Sequence, residues 1–347
     1  MRVCRWMSVL LACGLGLGGS QVIAAPADLA THRSYEYYHI GDLEAARPGR
    51  TEPALMLMGG GSSVDAAFRW FADEAGHGHL VILRASGADE LQDDLYRRIG
   101  GVASVQTLVF HDRAAASDPA VLAIVRHADG IFIAGGDQAN YVRFWKGTPM
   151  NELMDQHVRD GKPIGGTSAG LAILGAYAYG ALDGGSIVSA EALHDPLGSA
   201  VTLVDGFLHM PWLQHVITDT HFAARGRLGR LIAFVARLRQ QGHAQVVGLG
   251  VDEATVLAID GDGIGRLFTK DHGFAWLVRP SGGPQRIAAG KALDYLDIRL
   301  TGIGPDSRID MHDLHVQRPA FEGKADVRDG RLVVHGNVPL QSSERRD

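Results

Sequence analysis

Cysteine is nearly absent from this chain of 347 residues, which contains only Cys4 and Cys13. Both lie near the N-terminus, so a disulfide framework or a cysteine-ligated metal site is excluded from the body of the chain. An excess of positive charge is also lacking: 33 Lys and Arg stand against 39 Asp and Glu, which disfavours general nucleic-acid binding. The chain is 46% hydrophobic and 21% charged, a globular composition that argues against disorder or a fibre.

The first 25 residues have the pattern of a secretory signal. Arg2 and Arg5 precede an apolar, glycine-rich stretch over 6–19, and small residues follow it. The apolar core is short and interrupted, which disfavours a membrane anchor. We therefore predict cleavage near the end of this segment and a secreted or periplasmic protein. A lipoprotein-like box ending at Cys13 is the less favoured alternative.

Segments with strand and helix periodicity alternate through most of the chain, which predicts an α/β fold with a parallel sheet. We predict a catalytic domain over 26–253, a β-rich antiparallel extension over 254–340 and a disordered tail over 341–347. The predicted strands are 54–58, 80–83, 105–110, 130–134, 163–165, 217–219, 246–249, 255–259, 264–268 and 274–278. The predicted helices are 64–75, 90–99, 117–127, 148–161, 171–177 and 228–240.

The segment Gly166-Thr167-Ser168-Ala169-Gly170 matches G-x-S-x-G between a predicted strand and a predicted helix. Its small residues allow a strained turn that exposes the Ser168 hydroxyl, and the helix N-terminus behind it favours negative charge. A glycine-rich junction with a serine N-cap is the alternative. The position at the end of a buried strand favours a nucleophile.

A serine nucleophile needs a base, and His221 lies where the predicted strand 217–219 ends. Glu253 follows the strand 246–249 in the same way, so three strand ends can converge. We predict that Ser168 attacks, that His221 accepts its proton and that Glu253 orients the imidazole. Asp252 competes with Glu253 for the acid role.

Glycine loops follow two further predicted strands. Gly136 allows close backbone approach, and its N–H together with that of Ala169 can form an oxyanion hole. An ordinary glycine turn is the alternative. The loop 59–61 lacks the spacing of a nucleotide site, and the histidines at 209, 215 and 221 lack the spacing of a zinc site.

Taken together, these segments resemble the cyanophycinase and peptidase E family of serine peptidases. The matching segments, in the family's order, are Gly59–Gly61, Gly135-Gly136-Asp137-Gln138, Gly165–Gly170, Asp219-Thr220-His221-Phe222, Arg225–Arg230 and Gly250–Glu253.

The resemblance implies a flavodoxin-like parallel sheet as in class I glutamine amidotransferases, with helices on both faces. It implies a triad of Ser168, His221 and Glu253, a homodimer and no metal or other cofactor. The cyanophycinase branch cleaves multi-L-arginyl-poly-L-aspartate to β-aspartyl-arginine dipeptides, so a peptide or polymer partner is expected and a nucleic acid or stable membrane association is not.

Two segments depart from the family pattern and affect the predicted substrate. Asp219-Thr220-His221 stands where Asp-Gln-His is expected, and Arg84 in the loop after strand 80–83 is expected near the site. The candidate substrate contacts are Asp137, Gln138, Asp219 and Arg225.

Four functions stay open at this level. They are a secreted cyanophycin isopeptidase, an aspartyl dipeptidase with the same mechanism, an α/β-hydrolase esterase and a non-catalytic binding protein. The chain order Ser, His, Glu argues against the esterase, whose order is Ser, Asp, His.

Overall fold

The computed structural model describes residues 34–340. The predicted signal segment with both cysteines, the lipoprotein-like box and the predicted disordered tail lie outside the described residues. Within the described range, no helix combines the length and apolar character needed to cross a bilayer.

Eighteen strands and eight α-helices make up the described part of the chain. The strands are β1 (Tyr35–Gly41), β2 (Leu55–Met58), β3 (His79–Arg84), β4 (Ser104–Phe110), β5 (Gly130–Ile133), β6 (Ile164–Thr167), β7 (Tyr177–Tyr179), β8 (Leu203–Asp205), β9 (Val216–Asp219), β10 (Val247–Val251), β11 (Thr255–Ile259), β12 (Ile264–Thr269), β13 (Ala275–Pro280), β14 (Tyr295–Ile303), β15 (Arg308–Asp310), β16 (His315–Gln317), β17 (Phe321–Arg328) and β18 (Arg331–Gly336). The helices are α1 (Asp65–Glu74), α2 (Glu90–Asp93), α3 (Pro119–His127), α4 (Gln138–Trp145), α5 (Pro149–Arg159), α6 (Ala169–Ala172), α7 (Ser189–His194) and α8 (Leu228–Gln240).

The first sheet has a mostly parallel centre. Five adjacent strands run parallel in the order β4-β3-β5-β6-β2, with antiparallel β1 at one edge and antiparallel β11, β12, β15 and β16 beyond β2. Alternate strand residues face opposite ways: Leu57 packs with helices α3, α4 and α5, whereas Met58 packs with α1. Because helices cover both faces, β2 and β5 have no polar side chain, and β3 is apolar between its two end residues.

The second sheet has the order β18-β17-β14-β13-β10-β9-β7-β8. Its strands β9 and β10 are parallel, and β13, β14, β17 and β18 continue it in antiparallel fashion. Helix α8 packs on one face of this sheet through an apolar cluster that includes Leu231 and Phe234. The carboxyl ends of strands from both sheets therefore supply the loops in which the predicted site residues lie.

Most predicted elements are present with small differences at their ends, and helix 228–240 is present as predicted. The predicted helix over 171–177 is wrong: α6 is a single turn that ends before Ile173, and the chain then enters β7. The π-helical turn Asp94–Ile99 continues α2, and a 3₁₀ turn Ala114–Ser117 precedes α3. Strand β1 was not predicted.

The antiparallel strands after residue 254 are present, but they extend both sheets. Strand β11 pairs with β2, and β13 pairs with β10. The predicted division into domains at residue 254 stays a prediction.

Candidate active site

Ser168 lies on the sharp turn between β6 and α6. Its backbone has φ +51° and ψ −119°, a conformation that L-residues rarely adopt and that stores strain. Gly166 makes the turn possible, because a Cβ atom there would lie 2.5 Å from the carbonyl carbon of Gly170. The G-x-S-x-G segment thus forms the strained turn expected from its sequence, and the Ser168 side chain borders a cavity.

A chain of two hydrogen bonds joins Ser168, His221 and Glu253. The Ser168 Oγ lies 2.7 Å from His221 Nε2, and His221 Nδ1 lies 2.5 Å from Glu253 Oε1. His221 follows β9 and Glu253 follows β10, whose register holds the two strand ends side by side. This is the geometry of a nucleophile, a base and an orienting acid.

The loop Gly59–Gly61 supports the His221 imidazole, a role that the sequence interpretation missed. The Gly59 carbonyl accepts a 2.7 Å hydrogen bond from the His221 N–H. A Cβ atom on Gly60 would lie 2.5 Å from His221 Nε2, so only glycine leaves room for the ring. The available sequence signal was three glycines at the end of a buried strand.

Asp252 does not contact His221. Its buried carboxylate accepts hydrogen bonds from the N–H groups of Ala223 and Phe274, each 2.9 Å long, and from Trp276 Nε1 at 3.1 Å. Burial raises the pKa of Asp252, and the two backbone hydrogen bonds oppose that rise. Asp252 therefore ties the loop after His221 to β13, and the structure brings Glu253, not Asp252, to the imidazole.

The substitution Asp252→Asn tests this bracing role. An asparagine presents an NH₂ group to one of the three donors, which leaves buried donors unpaired and costs about 2 kcal/mol of unfolding free energy. We expect a lower urea midpoint for unfolding and a loss of turnover as the His221 loop shifts. The exposed Asp262, changed to Asn, is the matched control and should unfold like the wild type; equal midpoints for both variants would contradict the assignment.

The surroundings of His221 favour the neutral form of its imidazole. Burial lowers the pKa of His221 below its ordinary value of 6.5, the hydrogen bond to Glu253 raises it, and the charges of Arg225 and Arg227 lower it further. The net direction is downward, so the ring is neutral at neutral pH.

The pH profile should follow from this shift. Because a general base must be unprotonated, kcat/KM should be at its plateau above pH 6.5 and fall as the pH drops through the lowered pKa of His221. Replacing the exposed Arg225 with Gln removes a positive charge and should move the acid limb to higher pH. If the acid limb of the kcat/KM profile lay at the same pH in Arg225→Gln as in the wild type, the charge of Arg225 would not act on His221.

A cavity of about 270 Å³ opens beside Ser168. The structure brings Gly136, Asp137, Gln138, Ala169 and Arg225 to its wall, as the sequence interpretation expected. In the described residues, the N–H groups of Gly136 and Ala169 have no protein acceptor, so both are free to donate into the cavity. Asp137 also caps α4 by accepting from the Ala139 N–H.

Asp219 is not at the cavity wall, which corrects its predicted role as a substrate contact. Its carboxylate is buried and binds Arg230 through two hydrogen bonds of 2.8 and 2.5 Å, with Arg227 at 3.4 Å. A carboxylate held in this way has little capacity left for a ligand. Asp219 instead positions Arg227, a cavity-wall residue that the sequence interpretation missed.

Arg84 also lies away from the cavity wall. Its guanidinium donates to the carbonyls of Ser86 and Ala88 and pairs with Glu90. The side chain therefore stabilises its own loop. The cavity's remaining wall comes from the loop 181–186, which the sequence interpretation left as an irregular segment.

Among residues 34–340, no group of three or more His, Cys, Asp or Glu side chains has the arrangement of a metal site. His209 and His221 have different partners: His209 pairs with Asp155 at 2.8 Å, and His221 with Ser168 and Glu253.

The chain is similar to known proteins over the region that contains this site. The model of Peptidase family S51 matches residues 93–267, half of the chain. Cyanophycinase of Synechococcus elongatus is 36% identical over 174 residues, which cover 50% of this chain and 49% of that protein. Cyanophycinase of Trichormus variabilis is 32% identical over 231 residues, or 64% of this chain and 72% of that protein.

The match to the first of these relatives spans about half of its length. Among solved structures, a peptidase from an acI-B1 Actinobacterium is similar with a TM-score of 0.47 and 16% identity, over 65% of this chain and 91% of that chain.

Proposed function

The chain belongs to peptidase family S51, and on that basis we propose that it is a serine-type peptidase with Ser168 as its nucleophile. The observation that carries the proposal is the pair of hydrogen bonds from Ser168 through His221 to Glu253. The strained Ser168 backbone adds support, because such strain is concentrated at functional sites.

The proposed reaction has two halves. The Ser168 Oγ attacks the scissile carbonyl carbon while His221 Nε2 takes the hydroxyl proton, and the N–H groups of Gly136 and Ala169 bind the oxyanion that forms. The C–N bond then breaks, and the leaving amine takes the proton from His221. Water attacks the acyl-enzyme with His221 again as the base, which releases the acid and restores the serine.

We propose cyanophycin as the substrate, cleaved at aspartyl bonds to β-Asp-Arg dipeptides. The names of the similar cyanophycinases support this choice. The charges at the cavity wall agree with it, since Arg225 can bind a carboxylate and the exposed Asp137 a guanidinium. Gln138 adds an amide that can donate or accept.

Short aspartyl peptides are the second candidate substrates. Thr220 borders the cavity immediately before His221, and its hydroxyl accepts a 3.0 Å hydrogen bond from Arg227. A short threonine in this position leaves more of the cavity open than a glutamine would. That difference favours a change in the peptide that fits, with the same reaction.

A product assay separates these substrates. Purified protein is incubated with insoluble cyanophycin, with α-Asp-Arg and with β-Asp-Arg-terminated oligomers, and the released dipeptides and amino acids are identified by mass spectrometry. Release of β-Asp-Arg from the polymer supports the cyanophycinase. Cleavage of the α-linked dipeptide alone supports the aspartyl dipeptidase and removes cyanophycin.

The remaining features of the whole protein are also proposals. We propose that residues 1–25 are removed on export, which N-terminal sequencing of the exported protein tests. We propose a homodimer, which light scattering tests.

We also propose that the parallel half of the first sheet is flavodoxin-like. The strands β4-β3-β5-β6 match the order 2-1-3-4 of that fold, with β2 in the fifth position.

A further inference from the structure

A row of basic side chains crosses the second sheet away from the catalytic site. Arg279 lies directly opposite Arg299, which lies opposite Lys324, which lies opposite His335. Residues directly opposite one another point to the same face, and like charges in such positions destabilise a sheet. Arg279, Arg299 and Lys324, here called the cation row, bring three like charges to one face, and stability alone does not explain that arrangement.

The two arginines of the cation row have no carboxylate partner. Within the described residues, no Asp or Glu oxygen lies within 4.0 Å of either guanidinium, whereas Lys324 pairs with Asp297 at 2.6 Å. Arg279 donates to the carbonyls of Leu314 and Asp313, at 2.7 and 3.3 Å, which fixes its position, and the Asp313 carboxylate acts on its charge without a direct ion pair. The Arg299 side chain is exposed and has no hydrogen bond to a described residue.

Both arginines border a cleft of about 340 Å³ between the second sheet and β16 of the first. Thr301 and Glu322, which lie opposite each other on β14 and β17, border it as well. Glu322 has no Lys, Arg or His nitrogen within 4.0 Å among the described residues. Asp313 lines the cleft too, so the cleft holds two cations and two anions, none of which forms an ion pair within 4.0 Å among the described residues.

We propose that this cleft is a second binding site for the polymeric substrate, with Arg279 and Arg299 binding its carboxylates and Glu322 its guanidinium groups. The inference rests on the proposed function, because each repeat of multi-L-arginyl-poly-L-aspartate carries one carboxylate and one guanidinium. Planar guanidinium groups suit carboxylates through paired hydrogen bonds. The cleft offers cations and anions in equal number, as each repeat does.

The second sheet connects this cleft with the catalytic site. Gly248 of β10 lies opposite Val278, next to Arg279, and Glu253 follows five residues farther along the same direction. At about 3.3 Å per residue, the cleft and the triad are roughly 20 Å apart along the sheet. A long polymer can occupy both sites at once, but a dipeptide cannot, so the second site should act only on long chains.

The test compares Arg299→Gln with the wild type on insoluble cyanophycin and on a soluble trimer of β-Asp-Arg units. We expect KM for the polymer to rise about tenfold with kcat unchanged, as the loss of a charge-assisted contact predicts, and both constants for the trimer to stay the same. Arg126→Gln, at an exposed arginine of α3, removes the same charge elsewhere and should match the wild type. An unchanged polymer KM in Arg299→Gln, or an equal rise with the trimer, would overturn the proposal.

A binding assay separates this proposal from the proposed function. Ser168→Ala and the double variant Ser168→Ala/Arg299→Gln are sedimented with insoluble cyanophycin, and the retained protein is measured. Loss of retention in the double variant supports the second site even if the wild type releases no dipeptide. Equal retention of the two variants overturns the second site even if the wild type degrades the polymer.

Discussion

Ser168→Ala should lower kcat by ~10⁴-fold or more while the protein stays folded. The reason is that Ser168 Oγ is the one atom at the cavity with a base at 2.7 Å, and alanine removes the atom that forms the new bond. Stability should change little, because alanine keeps the Cβ and the half-buried side chain loses only one oxygen. Dipeptide release and the urea midpoint are measured on the same preparation.

Ser186→Ala is the matched control for this prediction. Ser186 also borders the cavity, but its hydroxyl accepts a hydrogen bond from Arg230 and has no imidazole beside it. We expect its turnover to stay within an order of magnitude of the wild type. If Ser168→Ala released product like the wild type, a serine-independent reaction would replace the proposed one. If wild type and variant both bound substrate and neither released product, the non-catalytic alternative would replace the peptidase.

Gly60→Ala should lower kcat/KM by roughly 10²-fold or more, although residue 60 carries no reactive group. The added methyl would lie 2.5 Å from His221 Nε2, well inside contact distance, so the imidazole must move from Ser168. The Gly60 φ of +101° adds backbone strain to the same substitution. Kinetics on the soluble trimer, together with thermal unfolding, separate displacement of the ring from loss of stability.

Gly242→Ala supplies a control with the same backbone cost. Gly242 has φ +102°, and a Cβ atom there would meet nothing within 4 Å. Gly242→Ala therefore carries the backbone cost without the overlap, so it should lose some stability and keep its activity, whereas Gly60→Ala should lose activity. A comparable loss of activity in both would assign the effect to general destabilisation and contradict the role of Gly60 as support for the imidazole.

The elements that follow from periodicity and turn chemistry could be predicted from the sequence. Helix α8 repeats its apolar residues at helical spacing, and the buried strands are short apolar runs that end in glycine or polar residues. The sharp turn at Ser168 could also be predicted, because small residues between a strand and a helix permit such a turn. His221 and Glu253 lie side by side because the adjacent parallel strands β9 and β10 align their carboxyl ends, and Ser168 joins them from β6 of the other sheet.

Contacts between distant segments could not be predicted in the same way. Asp252 and Glu253 are adjacent in sequence, and only the pairing of β10 with β9 and β13 decides which one meets His221. Asp219 has the position of a site residue, yet two arginines from α8 and its preceding turn neutralise it. The helix predicted over 171–177 ends at Ala172; residues 173–176 turn the chain, and Tyr177 begins β7, which pairs with β8 and β9.

The most direct test of the account is to locate the acyl-enzyme that it requires. Purified protein is mixed with the β-Asp-Arg trimer, quenched with acid within milliseconds to seconds, digested and mapped by mass spectrometry. The account predicts an acyl adduct on the peptide that contains Ser168, with none in Ser168→Ala. An adduct on another residue, or wild-type turnover by Ser168→Ala, would contradict it.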